Sequence, residues 1–311
     1  MMIYTLTLNP SIDQHILIKK LVKDDKIKAE SIRRDPGGKG INVSRVIKEL
    51  GGDTKAFGLI GGYAGHMLKS LLDHEKIEYQ FCEISCETRI NFILTDRSDG
   101  SQTRISSPGP RMTSPCVHRL IDTIEHIKPR PSYWAIGGSL PPGIPNDTYK
   151  KLIKYLHTKK EKCVLDTDDK ALKIGLEARP FLIKPNEYEL ERLIGRSCKT
   201  NKDLLMAGKK LSEKAEIVAI SLGKKGAIIV TQNKAWHLHS VSRVKVQSKV
   251  GAGDSFIGGF LKALADGEDL ETASRWAVAA GTAAVMREGT KLCQKKDVIK
   301  LFKSVKLKKL I

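Results

Sequence analysis

From residue 114 onward the sequence alternates between two patterns, and that alternation most restricts its fold. Stretches with apolar residues at helical spacing, near 114–127, 146–159 and 201–214, each precede a short β-branched and apolar run, at 133–136, 163–166 and 217–221. Phe181-Leu182-Ile183 is another such run, and a hairpin (227–231 with 235–238) and a small-residue-rich helix at 270–286 follow. Strands that are apolar throughout must be covered on both faces, and parallel strands connected by helices meet that need. The expected fold class is therefore α/β: three layers, α/β/α, around a mostly parallel central sheet.

The N-terminal third reads differently. Ile3 to Leu8 is a buried first strand, and a helix is expected at about 40–50. Its Val43, Val46, Ile47 and Leu50 are spaced i, i+3, i+4, i+7, and Gly51-Gly52 stop it. Two inserts, at about 12–35 and 88–107, read as strands joined by the polar turns Lys23-Asp24-Asp25 and Ser98-Asp99-Gly100. Together they are expected to form a small sheet set over the larger body as a lid, within a single domain spanning 1–311.

Composition narrows the function classes. Lys and Arg (54) exceed Asp and Glu (35), a net charge of +19, so the surface attracts anions. Only 5% of residues are aromatic, and none interleave with the basic residues, which argues against a single-strand nucleic-acid groove. A basic nucleic-acid-binding protein is the alternative from a different class. No apolar run approaches the roughly 18 residues that span a bilayer, so no membrane partner is expected. The start, Met1-Met2-Ile3-Tyr4-Thr5-Leu6, reads as a strand rather than a signal peptide. The six cysteines are scattered, as free thiols of a cytoplasmic protein would be.

Chemistry is concentrated in loops that follow predicted strands. Gly251-Ala252-Gly253 leads into Asp254 and then an apolar helical pattern. Small residues let backbone N–H groups crowd an anion at a helix start, and Asp254 is placed to take a proton from an attacking hydroxyl. Pro36-Gly37-Gly38-Lys39-Gly40-Ile41-Asn42 opens the first helix. A lysine there opposes the helix dipole, and a bound anion would account for it. Asp13 closes Asn9-Pro10-Ser11-Ile12-Asp13 and can accept bonds from sugar hydroxyls. Gly137-Gly138-Ser139, Lys184-Pro185-Asn186-Glu187-Tyr188-Glu189 and Ser221-Leu222-Gly223-Lys224-Lys225-Gly226 each follow a further strand. Ligands of open α/β sheets sit beyond such strand ends. Asn186 and Glu189 offer oxygens suited to Mg²⁺, through waters.

These motifs, in this order, resemble the PfkB (ribokinase-like) sugar-kinase family over nearly the whole chain, from Thr5 to about Cys293. Its two signatures match Gly37-Gly38-Lys39-Gly40-Ile41-Asn42 and Val250-Gly251-Ala252-Gly253-Asp254-Ser255, and Thr5-Leu6-Thr7-Leu8-Asn9-Pro10-Ser11-Ile12-Asp13 is typical of its phosphofructokinase and tagatose-6-phosphate kinase branch. The resemblance implies a ribokinase-like fold and ATP-dependent phosphorylation of a phosphohexose. Fructose 6-phosphate is the expected substrate; 1-phosphofructokinase and tagatose-6-phosphate kinase are the alternatives. It also implies roles. Asp254 would be the base, with Gly251, Ala252 and Gly253 as the anion hole. Asp13, Gly38, Lys39, Asn42, Arg89, Arg104 and Ser139 would hold the sugar phosphate. Lys184, Asn186, Ser221, Gly223, Gly226 and Gly281 would line the ATP site, with Asn186 and Glu189 organising Mg²⁺. A homodimer through the lid sheets is a further implication. One departure stands out: where many members carry Asp-Thr, this chain reads Ser248-Lys249.

Overall fold

Alternate residues of the central strands face opposite ways, and both ways are apolar. The first strand, β1 (Ile3–Thr7), sends Tyr4 and Leu6 into one buried cluster and Ile3 into another. Trp134 and Ile136 likewise face away from Ala135, and Cys163 and Leu165 away from Val164. A period of two with both faces buried is the mark of a sheet covered on both sides.

The computed structural model describes residues 1–241 and 244–311, with the side chain of residue 169 outside the description. After β1 come β2 (Ser11–Ile18), β3 (Ala29–Gly37), α1 (Lys39–Glu49), β4 (Thr54–Ile60), α2 (Gly62–His74), β5 (Glu78–Glu83), β6 (Arg89–Asp96) and β7 (Gln102–Ile105). Next are α3 (Ser114–Glu125), β8 (Tyr133–Gly137), α4 (Thr148–Thr158), β9 (Lys162–Asp166), α5 (Asp169–Gly175), β10 (Leu182–Ile183), α6 (Glu187–Ile194) and α7 (Asn201–Leu211). The chain closes with β11 (Ile217–Ser221), β12 (Ala227–Val230), β13 (Ala235–His239), α8 (Ala252–Ala265), α9 (Leu270–Val285), α10 (Lys295–Phe302) and β14 (Lys306–Lys309).

Ten strands form the central sheet in the order β14-β13-β12-β11-β10-β9-β8-β1-β4-β5. Every pair from β11 to β5 is parallel, and β12, β13 and β14 are antiparallel. One face is covered by α1, α8, α9 and α10, the other by α3 to α7. The fold is the expected three-layer α/β/α arrangement around a mostly parallel sheet. The terminal lysine run, which sequence alone reads as solvated surface, is an edge strand. Its side chains are mostly exposed, and charge on an edge discourages pairing with other chains.

The two inserts do form one small separate sheet, in the order β3-β2-β6-β7. Its central pair is parallel, with Ser11 opposite Arg89 and Asp13 opposite Asn91. The inserts extend closer to the body than the sequence suggests, since β2 starts at Ser11 and β3 runs to Gly37, directly before α1. Residues 54–83 add a strand, helix and strand that local patterning marks weakly. Among the described residues no helix is long and apolar enough to cross a membrane, and all six cysteines are free.

Candidate active site

The carboxyl ends of the parallel strands gather the polar residues. Asp166 ends β9, Lys184 follows β10 and Ser221 ends β11. Helix α1 is fastened to the end of β1, where Thr7 Oγ1 accepts the Ile41 N–H at 3.1 Å. Lys39 and Asn42, three residues apart, therefore share the face of α1 that looks over the sheet edge.

Asp254 lies at the centre of this group. It is buried, and its Oδ2 accepts Asn42 Nδ2 at 2.7 Å, across 212 residues of sequence. The helix it belongs to starts earlier than the sequence suggests. Gly251, in a left-handed conformation (φ 73°), is the N-cap, so Asp254 sits within the first turn of α8. Among the described residues no hydrogen bond takes the N–H groups of Gly251, Ala252 or Gly253. A helix N-terminus with free N–H groups favours an anion.

The surrounding charges are arranged around a second carboxylate. Lys39 Nζ donates to Asp166 Oδ1 at 3.1 Å and to Asp168 Oδ1 at 3.2 Å, while Lys184 Nζ is 3.9 Å from Asp166 Oδ2. Burial alone would raise the Asp166 carboxyl, but Lys184 and Lys39 outweigh it and hold it below the usual range. Lys39 is pushed above its usual range because Asp166, Asp168 and Asp254 outweigh its own burial. Asp254 moves the other way. Burial first, then the charge of Asp166, push it up to about 6, against the pull of Asn42, Lys39 and Lys184. Two acids in one pocket are thus driven apart, one held ionised and one poised near neutrality.

On the side of the small sheet, Asp13 Oδ1 accepts Asn91 Nδ2 at 2.8 Å and Ser11 Oγ at 3.0 Å. Arg89 is not free as a fork: Nη1 donates to Ser107 O and Nη2 to Asn9 O, leaving a buried Nε without a partner. Ser139 accepts Asn9 Nδ2 at 3.3 Å, and the Gly137–Gly138 turn before it is pinned by Tyr149, whose hydroxyl reaches both carbonyls at 3.0 Å. Gly38 is the N-cap of α1. Arg104 is exposed on β7, where its charge helps depress the His15 pKa after burial and Arg33.

The residues that the sequence assigns to nucleotide and metal have structural work too. Asn186 and Glu189 form a reciprocal capping box at the start of α6, with both bonds at 2.9 Å. One oxygen of Glu189 remains without a hydrogen bond, and among the described residues no group of three acidic, His or Cys side chains forms a metal cage. That set fits Mg²⁺, which keeps most of its waters and binds through one or two carboxylates and the phosphates of its ligand. An isolated bridge sets Asn186 beside Ser221. Gly226 is demanded by β13, since a Cβ there would collide with the Leu238 carbonyl. Gly281 lets α9 lie against the start of α8, where a Cβ would stand 3.2 Å from Ala252 O, and Gly223 opens on free space.

Sequence reasoning passed over Asp166, Asp168 and the Asp35–Thr290 contact. Thr290, in the loop after α9, donates to Asp35 at the foot of β3, and His15 Nε2 lies 3.3 Å from the same oxygen. The small sheet is therefore bonded to a loop that packs Leu292 against Gly251.

Comparison with known proteins places nearly the whole chain in one family. The profile of the pfkB family carbohydrate kinases matches residues 6–297. The chain is 34% identical over 288 residues to 1-phosphofructokinase of Bacillus subtilis, covering 92% of this chain and 93% of that one. It is also 34% identical over 303 residues to ATP-dependent 6-phosphofructokinase isozyme 2 of Escherichia coli, covering 96% and 97%. The crystal structure of the Escherichia coli phosphofructokinase-2 with substrates and products superposes with a TM-score of 0.92 at 33% identity, over 98% of this chain and 99% of that one.

Proposed function

The chain belongs to the pfkB family of carbohydrate kinases and, as a sugar-phosphate kinase, uses ATP; we propose that its acceptor is fructose 6-phosphate, converted to fructose 1,6-bisphosphate. Asp254 carries the reading. It is a buried acid poised near neutrality, with one oxygen held by Asn42 and the other left for a hydroxyl. The acceptor hydroxyl gives its proton to Asp254 as its oxygen attacks the terminal phosphorus of ATP. The free N–H groups at the start of α8 receive the charge of the moving phosphoryl group. Lys184 adds to it, since its Nζ lies 2.9 Å from where a Cβ on Gly253 would stand. Phosphoryl transfer needs positioning and charge neutralisation far more than covalent help, and these groups supply both.

Asp13, Gly38, Lys39, Asn42, Arg89, Arg104 and Ser139 are assigned to the sugar phosphate. Ser221, Gly223, Gly226, Gly281, Lys184 and Asn186 are assigned to ATP, Gly226 and Gly281 through the backbone positions they allow. Mg²⁺, which would neutralise the phosphate charge, is assigned to Glu189 and Asn186 through waters. Residues 1–311 act as one domain whose small sheet closes as a lid. Its exposed Leu21, Val22, Ile32 and Ile105 favour a homodimer through that sheet.

Fructose 1-phosphate, or tagatose 6-phosphate, is the second reading, because the Bacillus subtilis relative named 1-phosphofructokinase is as similar as the 6-phosphofructokinase. The test is ADP production with Mg·ATP and each of fructose 6-phosphate, fructose 1-phosphate, tagatose 6-phosphate and free fructose, for the wild type and Asp254→Asn. Turnover of fructose 6-phosphate, lost in the variant, is expected. A higher kcat/KM on either other phosphohexose would replace the substrate, and undiminished activity of Asp254→Asn would remove the base.

A further inference from the structure

Behind the loop of residues 287–294 lies an open cavity of about 420 Å³, bounded also by the ends of α1 and α2 and the start of α10. Its lining carries four cations, Arg45, Lys48, Arg287 and Lys291, against two carboxylates, Glu49 and Glu75. Glu75 is neutralised by a cation, whereas Glu49 keeps its charge and is tied through one oxygen only. Glu75 holds Arg45 through two bonds of 2.7 Å, and Glu49 accepts the Lys295 N–H at 2.9 Å. Lys291 is 3.5 Å from Glu288. That leaves Lys48 and Arg287. Neither side chain makes an ion pair or hydrogen bond among the described residues, and Arg287 Nε is buried without an acceptor. A buried donor left unpaired carries an appreciable penalty, and an anion in the adjoining cavity would relieve it.

We infer that this cavity is a second anion site, which takes a phosphate group, free or at the end of a small metabolite. Its volume falls in the range of small-molecule sites. A guanidinium offers phosphate a fork of donors and a lysine offers a point charge, and here the two stand on different elements. Lys48 is on α1, whose first turn carries Lys39 and Asn42. Arg287 begins the loop that packs Leu292 on Gly251 and bonds Thr290 to Asp35. A phosphate between them ties that loop to α1 and so steadies both the α8 start and the foot of the small sheet.

The experiment is isothermal titration of the intact chain with sodium phosphate and, in a second arm, glycerol 2-phosphate, at constant ionic strength. Neither nucleotide nor sugar phosphate is added, because each carries a phosphate that would compete here, and the alanine variants separate this binding from binding at the site already described. Saturable binding is expected, weakened at least tenfold in Arg287→Ala and about threefold in Lys48→Ala, an exposed helix position that leaves folding intact. Arg287→Lys keeps part of the affinity. Tighter binding of glycerol 2-phosphate marks a metabolite site, and equal binding marks free phosphate. Absence of binding in the wild type, or an affinity unchanged in both alanine variants, overturns the inference. The readout is binding at residues outside the kinase machinery, so it stands apart from which sugar phosphate is accepted.

Discussion

Asp254 is expected to weaken the fold it serves. Its carboxyl lies at about 6 rather than 3.8, because burial and Asp166 disfavour its charge. A displacement of about two pH units at 1.36 kcal/mol each is worth about 3 kcal/mol. The sign follows from proton binding. Below pH 3.8 folded and unfolded chains both hold the proton, and nothing is lost. Between 3.8 and about 6 only the unfolded chain gives it up, so stability falls as pH rises; above that it levels. Asp254→Asn removes the buried charge and keeps an oxygen for Asn42. The new amide N–H offsets part of the gain, leaving about 1–3 kcal/mol at pH 8. At pH 5 about half of that remains. Urea unfolding of both proteins at pH 5 and pH 8, followed by the fluorescence of the buried Trp134 and Trp236, measures it. The same variant should lose about 10²–10⁴ in kcat. Equal stability of the two proteins at pH 8, or a difference that does not change with pH, would refute the reasoning.

Four other outcomes follow from the same geometry. In the wild type, kcat/KM should rise tenfold per pH unit up to about 6 and then level, read by steady-state rates from pH 5 to 8.5. Lys39→Met removes one of the charges that hold Asp254 down, so that limb should move to higher pH while KM for the phosphohexose rises; an unmoved limb would count against the coupling. Gly253→Ala meets only the flexible end of Lys184, so stability should change by less than about 1 kcal/mol in urea unfolding while kcat drops severalfold. Gly226→Ala, at φ 97° and against the Leu238 carbonyl, should cost more than about 2 kcal/mol in the same assay.

Much of this fold was legible because its signals are local. Helix α1 announces itself by the spacing of Val43, Val46 and Ile47 and ends at Leu50 before two glycines. The buried strands announce themselves as apolar runs, and the loops beyond them by glycine and polar residues. Helix α2 is harder to read, since it buries only Ala64, Gly65, Leu68 and Leu72 and begins with glycine. The start of α8 is set by backbone conformation rather than by side-chain pattern: the apolar periodicity begins after Asp254, whereas the left-handed Gly251 starts the helix three residues before it. Asn186 and Glu189 show the converse, a spacing that serves a capping box as readily as it serves a metal.

What the sequence conceals is the charge arrangement, because it is made entirely of distant pairs. Asp166 ends a buried strand, and nothing beside it marks it out. It acquires meaning only when Lys39, 127 residues away, and Lys184 close on it from either side. Without Asp166 those two lysines would lose the anion that spaces them, and Asp254 would lose the neighbour whose charge helps keep it near neutrality. A single acid thus couples Lys39, proposed for the sugar phosphate, Lys184 beside the start of α8, and Asp254, the proposed base. Asp254 can be picked out by motif, but its proton affinity is a property of the folded sheet edge.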